Sequence, residues 1–403
     1  MNLKQHGRIL YISSVDVSIG NGPGVNEREF ILGLYSAVKD RAHFLIPQPS
    51  ENFSDLPPEV CTFSFPHHRH HPLRYPIHIL SQAQLADRIL SERQFDLIVF
   101  RLDVLPFAPL YITRRHHVPY VLKTLGQGMM NVLYEKGGIL GRSLAGINET
   151  LVKKMVDGAH LADSVSKAQV SFLETRLNVN SHKIVWIDNA VNTSRFFPLP
   201  AETAKKELGL DKYDHIIGYV GARPWERGGL QLVEAAPTLL ERFPNLGVVV
   251  VGGGSELDTL VKRADQLGVA DHCVFTGYVP FQDVPMYINS FDIGVSISLR
   301  PDRFAASELK VRQYLACGKP VILSPGSNDF VIEEKFGAVV PPTDVEAIAR
   351  ALEEWLSLPA QKRKEFSERT VQYMERNLSI DAVVNERFRR WSEQIRLNEA
   401  NYS

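Results

Sequence analysis

Cysteine is nearly absent from this 403-residue chain, and the three present, Cys61, Cys273 and Cys317, form no CxxC pair. Neither a disulfide framework nor a structural zinc site follows from that count and spacing, so a reducing cytoplasm is the expected setting. Long hydrophobic runs are missing as well. The most apolar stretch, LGVVVVGGG at 246–254, is broken by glycine well short of the roughly 18 residues a spanning helix needs. The opening MNLKQHGR passes straight into RILYISS, without the charged, apolar and small-residue regions of a signal peptide. Charge of one sign is also lacking: 45 Lys+Arg stand against 46 Asp+Glu. No basic run carries interleaved aromatics, which makes nucleic acid a poor partner. A nicotinamide-type fingerprint is absent too, because Gly20, Gly22 and Gly24 do not follow G-x-G-x-x-G and HFLIPQPS ends without an acid.

What is present suits a soluble two-domain α/β protein. The chain exceeds one ordinary hydrophobic core, and it is 44% hydrophobic and 23% charged. Short β-branched runs alternate with helix-period segments, the pattern of parallel sheets covered by helices. Expected strands are RILYISS, HFLI, DLIVFR, PYVLK and KIVWI in the first half. In the second half they are HIIGYVG, GVVVVGG, CVFTG, DIGVSI and KPVILS. Leu257, Leu260, Val261, Ala264 and Leu267 form one core stripe, and Val345, Ile348, Leu352 and Trp355 another. Pro198 and Pro200 interrupt the pattern and put the junction near 193–202. The expected division is 1–195 and 196–377, with a last helix at about 378–403, bearing Ile380, Val384, Phe388, Trp391 and Ile395, returning to the first domain.

Charge is unevenly distributed: residues 1–195 carry 21 Lys+Arg against 17 Asp+Glu, and eleven of the 13 histidines. An anionic acceptor or membrane surface is the weak implication. His67, His68, His70 and His71 read as an exposed loop before they read as a metal site. Arg101 ends a strand with Asp103 just beyond it, and either an ion pair or a place in the cleft suits it. In the segment 142–156, Leu144, Ile147, Leu151 and Met155 are expected to pack onto the first domain, with membrane docking beside Lys153 and Lys154 as the alternative.

Chemistry concentrates in two places in the second half. YVGARPWERGG sets Arg223 and Arg227 among Gly221, Gly228 and Gly229 after a strand, a constellation suited to a diphosphate whose charge grows as a sugar departs. SELKVRQYLACGKPVILS reads as a helix from about Ser307 to Cys317, with Ser307, Glu308 and Leu309 in its first turn and Lys310 and Gln313 on one face.

Together with NAVNTSRFFP (189–198), VVVGGGSELDTL (249–260) and VFTGYVPFQDVPMYI (274–288), these segments resemble family 4 retaining glycosyltransferases of the GT-B fold. The resemblance implies two Rossmann-like domains facing a central cleft, the N-terminal one for the acceptor and the C-terminal one for a nucleotide-diphosphate sugar. It implies transfer to a hydroxyl with retention, in glycan, glycolipid or small-molecule glycoside assembly, without a cofactor, a metal or an enzymic nucleophile. UDP and GDP are the expected bases. Arg223 and Arg227 resemble the pair on the diphosphate; Gly24 resembles the N-domain glycine that approaches the donor. Gly277, Tyr278 and Val279 fall where the nucleobase is read, and Ser307, Glu308, Leu309 and Lys310 fall beside the diphosphate and sugar. One departure stands out: a motif with two glutamates has Ala305 and Gln313 here. Hence a weakened nucleotide-sugar-binding partner subunit, or an epimerase, stays open, as does a peripheral contact with the inner face of a membrane.

Overall fold

The computed structural model describes residues 3–20, 22–50, 56–63, 74–102, 104–124, 138–299, 308–326 and 328–402. The histidine run 67–71, Asp103, Ala305 and Ser307 lie outside them. Two compact units emerge. Unit 1 comprises Met1–Asn189 with Ile380–Ser403, and unit 2 is Ala190–Ser379. The division thus falls earlier than Pro198 and Pro200 suggest. The chain enters and leaves unit 2 side by side, with Val191 N donating to Leu378 O at 2.9 Å and Val191 bridged to Ser379.

Unit 1 holds a parallel sheet of β1 (Ile9–Ile12), β2 (Ala42–Pro47), β3 (Val60–Phe63), β4 (Leu97–Arg101), β5 (Tyr120–Thr124), β6 (Leu161–Ser164) and β7 (Ile184–Trp186), ordered β3-β2-β1-β4-β5-β6-β7. Side chains alternate across it. Leu97 and Val99 enter one core with Tyr11, Phe44 and Val121, while Ile98 and Phe100 enter the other with Leu10, Ile12 and Leu122. Both faces are covered, which is why the inner strands read as continuous apolar runs.

The C-terminal helix Ile380–Tyr402 closes the first of these faces, burying Val384, Phe388, Trp391 and Ile395 against the helix Gly22–Val38. Gly33 permits the approach, since a Cβ there would stand 2.3 Å from Ile380 Cγ2. Burial of charge accompanies the docking: Arg387 Nε donates to Asp163 Oδ2 at 2.9 Å, and both side chains are almost fully enclosed. Asp163 belongs to the polar LADS strand, β6, which apolar patterning does not reveal. β3, half exposed, escaped the same pattern.

The helix Gly138–Gly158 corrects an expectation. Met155 is buried, but Leu144 and Leu151 are only half-buried and Ile147 is 50% exposed; Ala145, Asn148, Val152 and Val156 are buried instead. Packing selects a stripe rotated from the one drawn through the largest side chains.

Unit 2 repeats the plan with β8 (His215–Val220), β9 (Leu246–Val251), β10 (Cys273–Gly277), β11 (Ile293–Ser296), β12 (Val321–Leu323) and β13 (Gly337–Val339), ordered β10-β9-β8-β11-β12-β13 and all parallel. Ile217, Val248, Val250, Val295 and Ile322 pack with Leu232, Leu260, Ala264, Ile348 and Leu352. Val261, expected in the stripe, is exposed, because the helix Leu257–Gln266 turns it to the flank of Leu260. Among the described residues, no helix is long and apolar enough to cross a membrane.

In each unit the strand order reverses beside the first strand: β1 lies between β2 and β4, and β8 between β9 and β11. A crevice opens there at the carboxyl ends of the strands, the usual place for a ligand in an open parallel sheet.

Two measurements test this packing. Trp391→Ala empties a fully buried site and should cost about 3–5 kcal/mol in denaturant unfolding; a loss under about 1 kcal/mol would mean the C-terminal helix is not part of the unit 1 core. Lys123, buried in β5, is held near pKa 7 by burial, against an ordinary 10.5. Between those values the unfolded chain binds more protons, so stability rises with pH. From pH 7 to 9 the melting temperature of the native protein should therefore climb relative to Lys123→Met, whereas parallel curves would assign the titration elsewhere.

Candidate donor site in unit 2

The turns that follow β8, β9 and β10 abut one another through glycine. Gly252, at φ +115°, donates its N–H to Gly277 O at 2.8 Å, and a Cβ on it would lie 2.1 Å from Gly221 O. No side chain fits there, so three strand ends form one continuous backbone floor. Gly277 itself has φ +66°, Tyr278 beside it is 73% exposed, and its ring is 3.1 Å from where a Gly253 Cβ would stand. Val279 is half-buried.

Arg223 and Arg227 occupy the ends of a single turn, Pro224–Arg227, yet they differ in surroundings. Arg223 is 61% exposed and reaches Glu226 at 3.4 Å. Arg227 is mostly enclosed, and burial pushes its guanidinium down to about pKa 10. Its Nη1 donates to Glu308 Oε1. The other carboxylate oxygen accepts from Ser296 Oγ at the end of β11, and Lys310 Nζ lies 3.9 Å from it. Lys310 also sits 4.2 Å above the Tyr219 ring, and burial, with Arg227 nearby, holds its amine well below the ordinary value. Two cations thus converge on one carboxylate at the reversal between β8 and β11.

The helix carrying Lys310 starts later than its sequence suggests. It spans Leu309–Ala316, and Glu308 stands outside as N-cap in extended conformation, φ −74° and ψ 122°. The carboxylate is committed to Arg227 and Ser296 rather than to its own helix. Ser307 is outside the described residues. Gln313 is buried at 8% exposure. Gly318, at φ +72°, ends the helix as a left-handed cap. Gly24 belongs to unit 1, in the first turn of Gly22–Val38.

Several residues that shape the site have no sequence signal of their own. Tyr314 Oη accepts from Val220 N at 2.8 Å, tying the Lys310 helix to the end of β8. Arg312, fully buried, donates to Glu308 O at 3.2 Å and to Asn328 Oδ1 at 2.8 Å, fixing the backbone of the acid from below. Ser296 reads as an ordinary strand residue. Its hydroxyl reaches Glu308 because the helix Leu309–Ala316 packs back on β11, while the pairing of β11 with β8 brings Arg227 to the same carboxylate. Among the described residues, no three His, Cys, Asp or Glu side chains gather as a metal centre requires.

Known proteins share this architecture. The chain aligns over 97% of its length with all of sucrose-phosphate synthase from Thermosynechococcus elongatus, at TM-score 0.72 and 16% identity. It aligns over 96% with all of Anabaena Alr3699/HepE in complex with UDP and glucose, at TM-score 0.71 and 16% identity. At that identity the likeness shows the fold, which is GT-B. Residues 200–373 match the family described as glycosyl transferases group 1. Among characterised sequences it is similar to the GDP-mannose-dependent alpha-(1-6)-phosphatidylinositol monomannoside mannosyltransferase of Mycolicibacterium smegmatis, 30% identical over 234 residues. That match takes in 55% of this chain and 60% of the relative, so the chain spans about three fifths of its length.

Removing the carboxylate tests the electrostatics. Glu308→Gln leaves Arg227 and Lys310 without their shared counter-charge, so the folded protein should lose a few degrees of melting temperature while binding inorganic pyrophosphate several-fold more tightly. Unchanged pyrophosphate affinity would show that Glu308 does not compete for these cations.

Proposed function

We propose that the chain is a retaining glycosyltransferase that moves a sugar from a nucleoside-diphosphate donor to a hydroxyl acceptor, with unit 2 holding the donor and unit 1 the acceptor. The observation that carries this reading is the convergence of Arg227 and Lys310, both desolvated, on Glu308 at the strand-order reversal of unit 2. A carboxylate there occupies the place of an anion. A diphosphate arriving at the glycine floor exchanges for Glu308 on Arg227, and the guanidinium then meets the charge that develops as the glycosidic bond breaks. Desolvation strengthens that interaction, and the enclosed Arg227 carries more of it than the exposed Arg223. Tyr278 offers an open aromatic face at the end of β10 for a nucleobase.

The departing phosphate oxygen takes the proton of the acceptor hydroxyl on the same face of the sugar. Retention follows without an enzymic nucleophile. UDP and GDP remain the two candidate bases. The protein is cytoplasmic in this reading, and the exposed Ile147 with the neighbouring Lys153 and Lys154 supports a peripheral contact with an anionic membrane.

A thermal-shift and calorimetric screen against UDP, GDP, ADP, TDP and CMP, then their sugar conjugates, decides the matter. At 100 times its Kd one nucleotide should add about 2.7 kcal/mol of stability. With the sugar nucleotide so identified, Arg227→Ala should reduce turnover about 100- to 1,000-fold, and Arg223→Ala by less. A folded protein that binds no nucleotide would defeat the proposal.

A further inference from the structure

Glu308 is held from two sides. Arg227 Nη1 donates to its Oε1, and Ser296 Oγ donates to its Oε2. Lys310 Nζ stands 3.9 Å from that second oxygen, beyond hydrogen-bond reach, and makes no hydrogen bond among the described residues. It rests instead 4.2 Å above the Tyr219 ring, and a Cβ on Gly221 would lie 3.3 Å from it. The amine therefore sits at the glycine floor, one short step from a carboxylate that a guanidinium already occupies.

The geometry lets that carboxylate change partners while its backbone stays in place. Arg312, fully buried, donates to Glu308 O at 3.2 Å, and Glu308 is already extended ahead of its helix, so the side chain turns on a fixed anchor. The two basic groups differ in what they can do. An arginine keeps its charge at neutral pH even when burial lowers it to about pKa 10, whereas the Lys310 amine, desolvated beside Arg227, gives up its proton first. With Arg227 on Glu308, a proton on Lys310 is a buried charge without a close partner. Once a diphosphate holds Arg227, the same proton completes a pair.

Other elements bring little that competes. Tyr219 and Tyr314 stay neutral, since burial raises both hydroxyls, and Arg223 is turned to Glu226. β11, β12 and the helix Val284–Ser290 carry no charged side chain. The helix Ala360–Tyr373 and the turn Met374–Leu378, which pack on the helix Leu309–Ala316, keep their charged side chains in or near solvent.

We propose that a diphosphate arriving on Arg227 hands the Glu308 carboxylate to Lys310, and that Lys310 takes one proton from solvent as the new ion pair forms. Lys310 is then a positioning residue that keeps Glu308 off the guanidinium holding the leaving group. As a property of the donor site, this rests on the transferase reading. Proton and donor each tighten the binding of the other. Because the complex holds more protons than the free protein, donor affinity falls as pH rises.

The test is calorimetry of the full chain with UDP and with GDP at pH 8, 8.5 and 9, each in two buffers of different ionisation enthalpy. Over that range the terminal phosphate of the nucleotide, with a pKa of about 6, is ionised and Arg227 keeps its proton, so neither supplies the signal. The native protein should take up about one proton per bound nucleotide, and its Kd should rise about 5- to 10-fold from pH 8 to 9. Lys310→Arg, whose charge does not titrate here, should bind without uptake and with a Kd constant to within about 2-fold across the range. Lys310→Met should also lose the uptake and should bind about 10-fold more weakly at pH 8. A merely structural role for Lys310 would change affinity in both variants and leave the proton count as it is in the native protein. Nucleotide binding by the native protein without proton uptake, or uptake retained in either folded variant, overturns the inference and leaves the transferase standing. Failure of both nucleotides to bind a folded protein removes the inference and the transferase reading together.

Discussion

Every strand of a parallel sheet ends on the same side, and here both sheets reverse their order beside the first strand. That constraint leaves a crevice at the carboxyl ends of β1 and β4 in unit 1, and of β8 and β11 in unit 2. Helices cover both faces of each sheet, so the crevice is where backbone and polar side chains remain open to a ligand. The glycines at 221, 252 and 277 matter for the same reason. They let the turns after β8, β9 and β10 close on one another without side chains between them.

Electrostatics then distinguishes these crevices from mere gaps in packing. In unit 2, Arg227 and Lys310 share Glu308; in unit 1, Arg101, Lys123 and Arg387 share Glu27 and Asp163. Buried charges are costly unless paired, and burial accordingly lowers the pKa of the lysine in each set, Lys310 and Lys123. A fold that needed only stability would do as well with apolar residues at these places. The unit 1 set also fastens the C-terminal helix, because Arg387 reaches β6 from that helix while Trp391 and Phe388 fill the core around it.

Much of this was legible in advance. Ten strands announced themselves as apolar runs, and the C-terminal helix showed its stripe, because burial on both faces of a sheet or one face of a helix leaves a periodic mark. The strands that escaped are instructive. β3 is half exposed at an edge, β6 is polar because Asp163 pairs with Arg387, and β13 is only three residues long. Stripe direction was less legible: the helix Gly138–Gly158 buries Ala145 and Asn148 and exposes Ile147, and Asn148 Oδ1 accepts from Leu105 N, a partner no local pattern announces.

The site divides in the same way. Sequence alone determined the alternation that makes two α/β sheets, the glycines in the turns, and the presence of Arg223, Arg227, Glu308 and Lys310 in segments that follow strands. Those are properties of near neighbours along the chain. Tertiary structure alone decided that Arg227 is enclosed while Arg223 is exposed, and that Glu308 faces Ser296 and Arg227 instead of capping its helix. It also decided that Tyr314 ties that helix to β8 and that Arg101 meets Glu27. Each of these pairings joins residues on different strands or helices, and strand order, which sets them, is written in no local stretch of sequence.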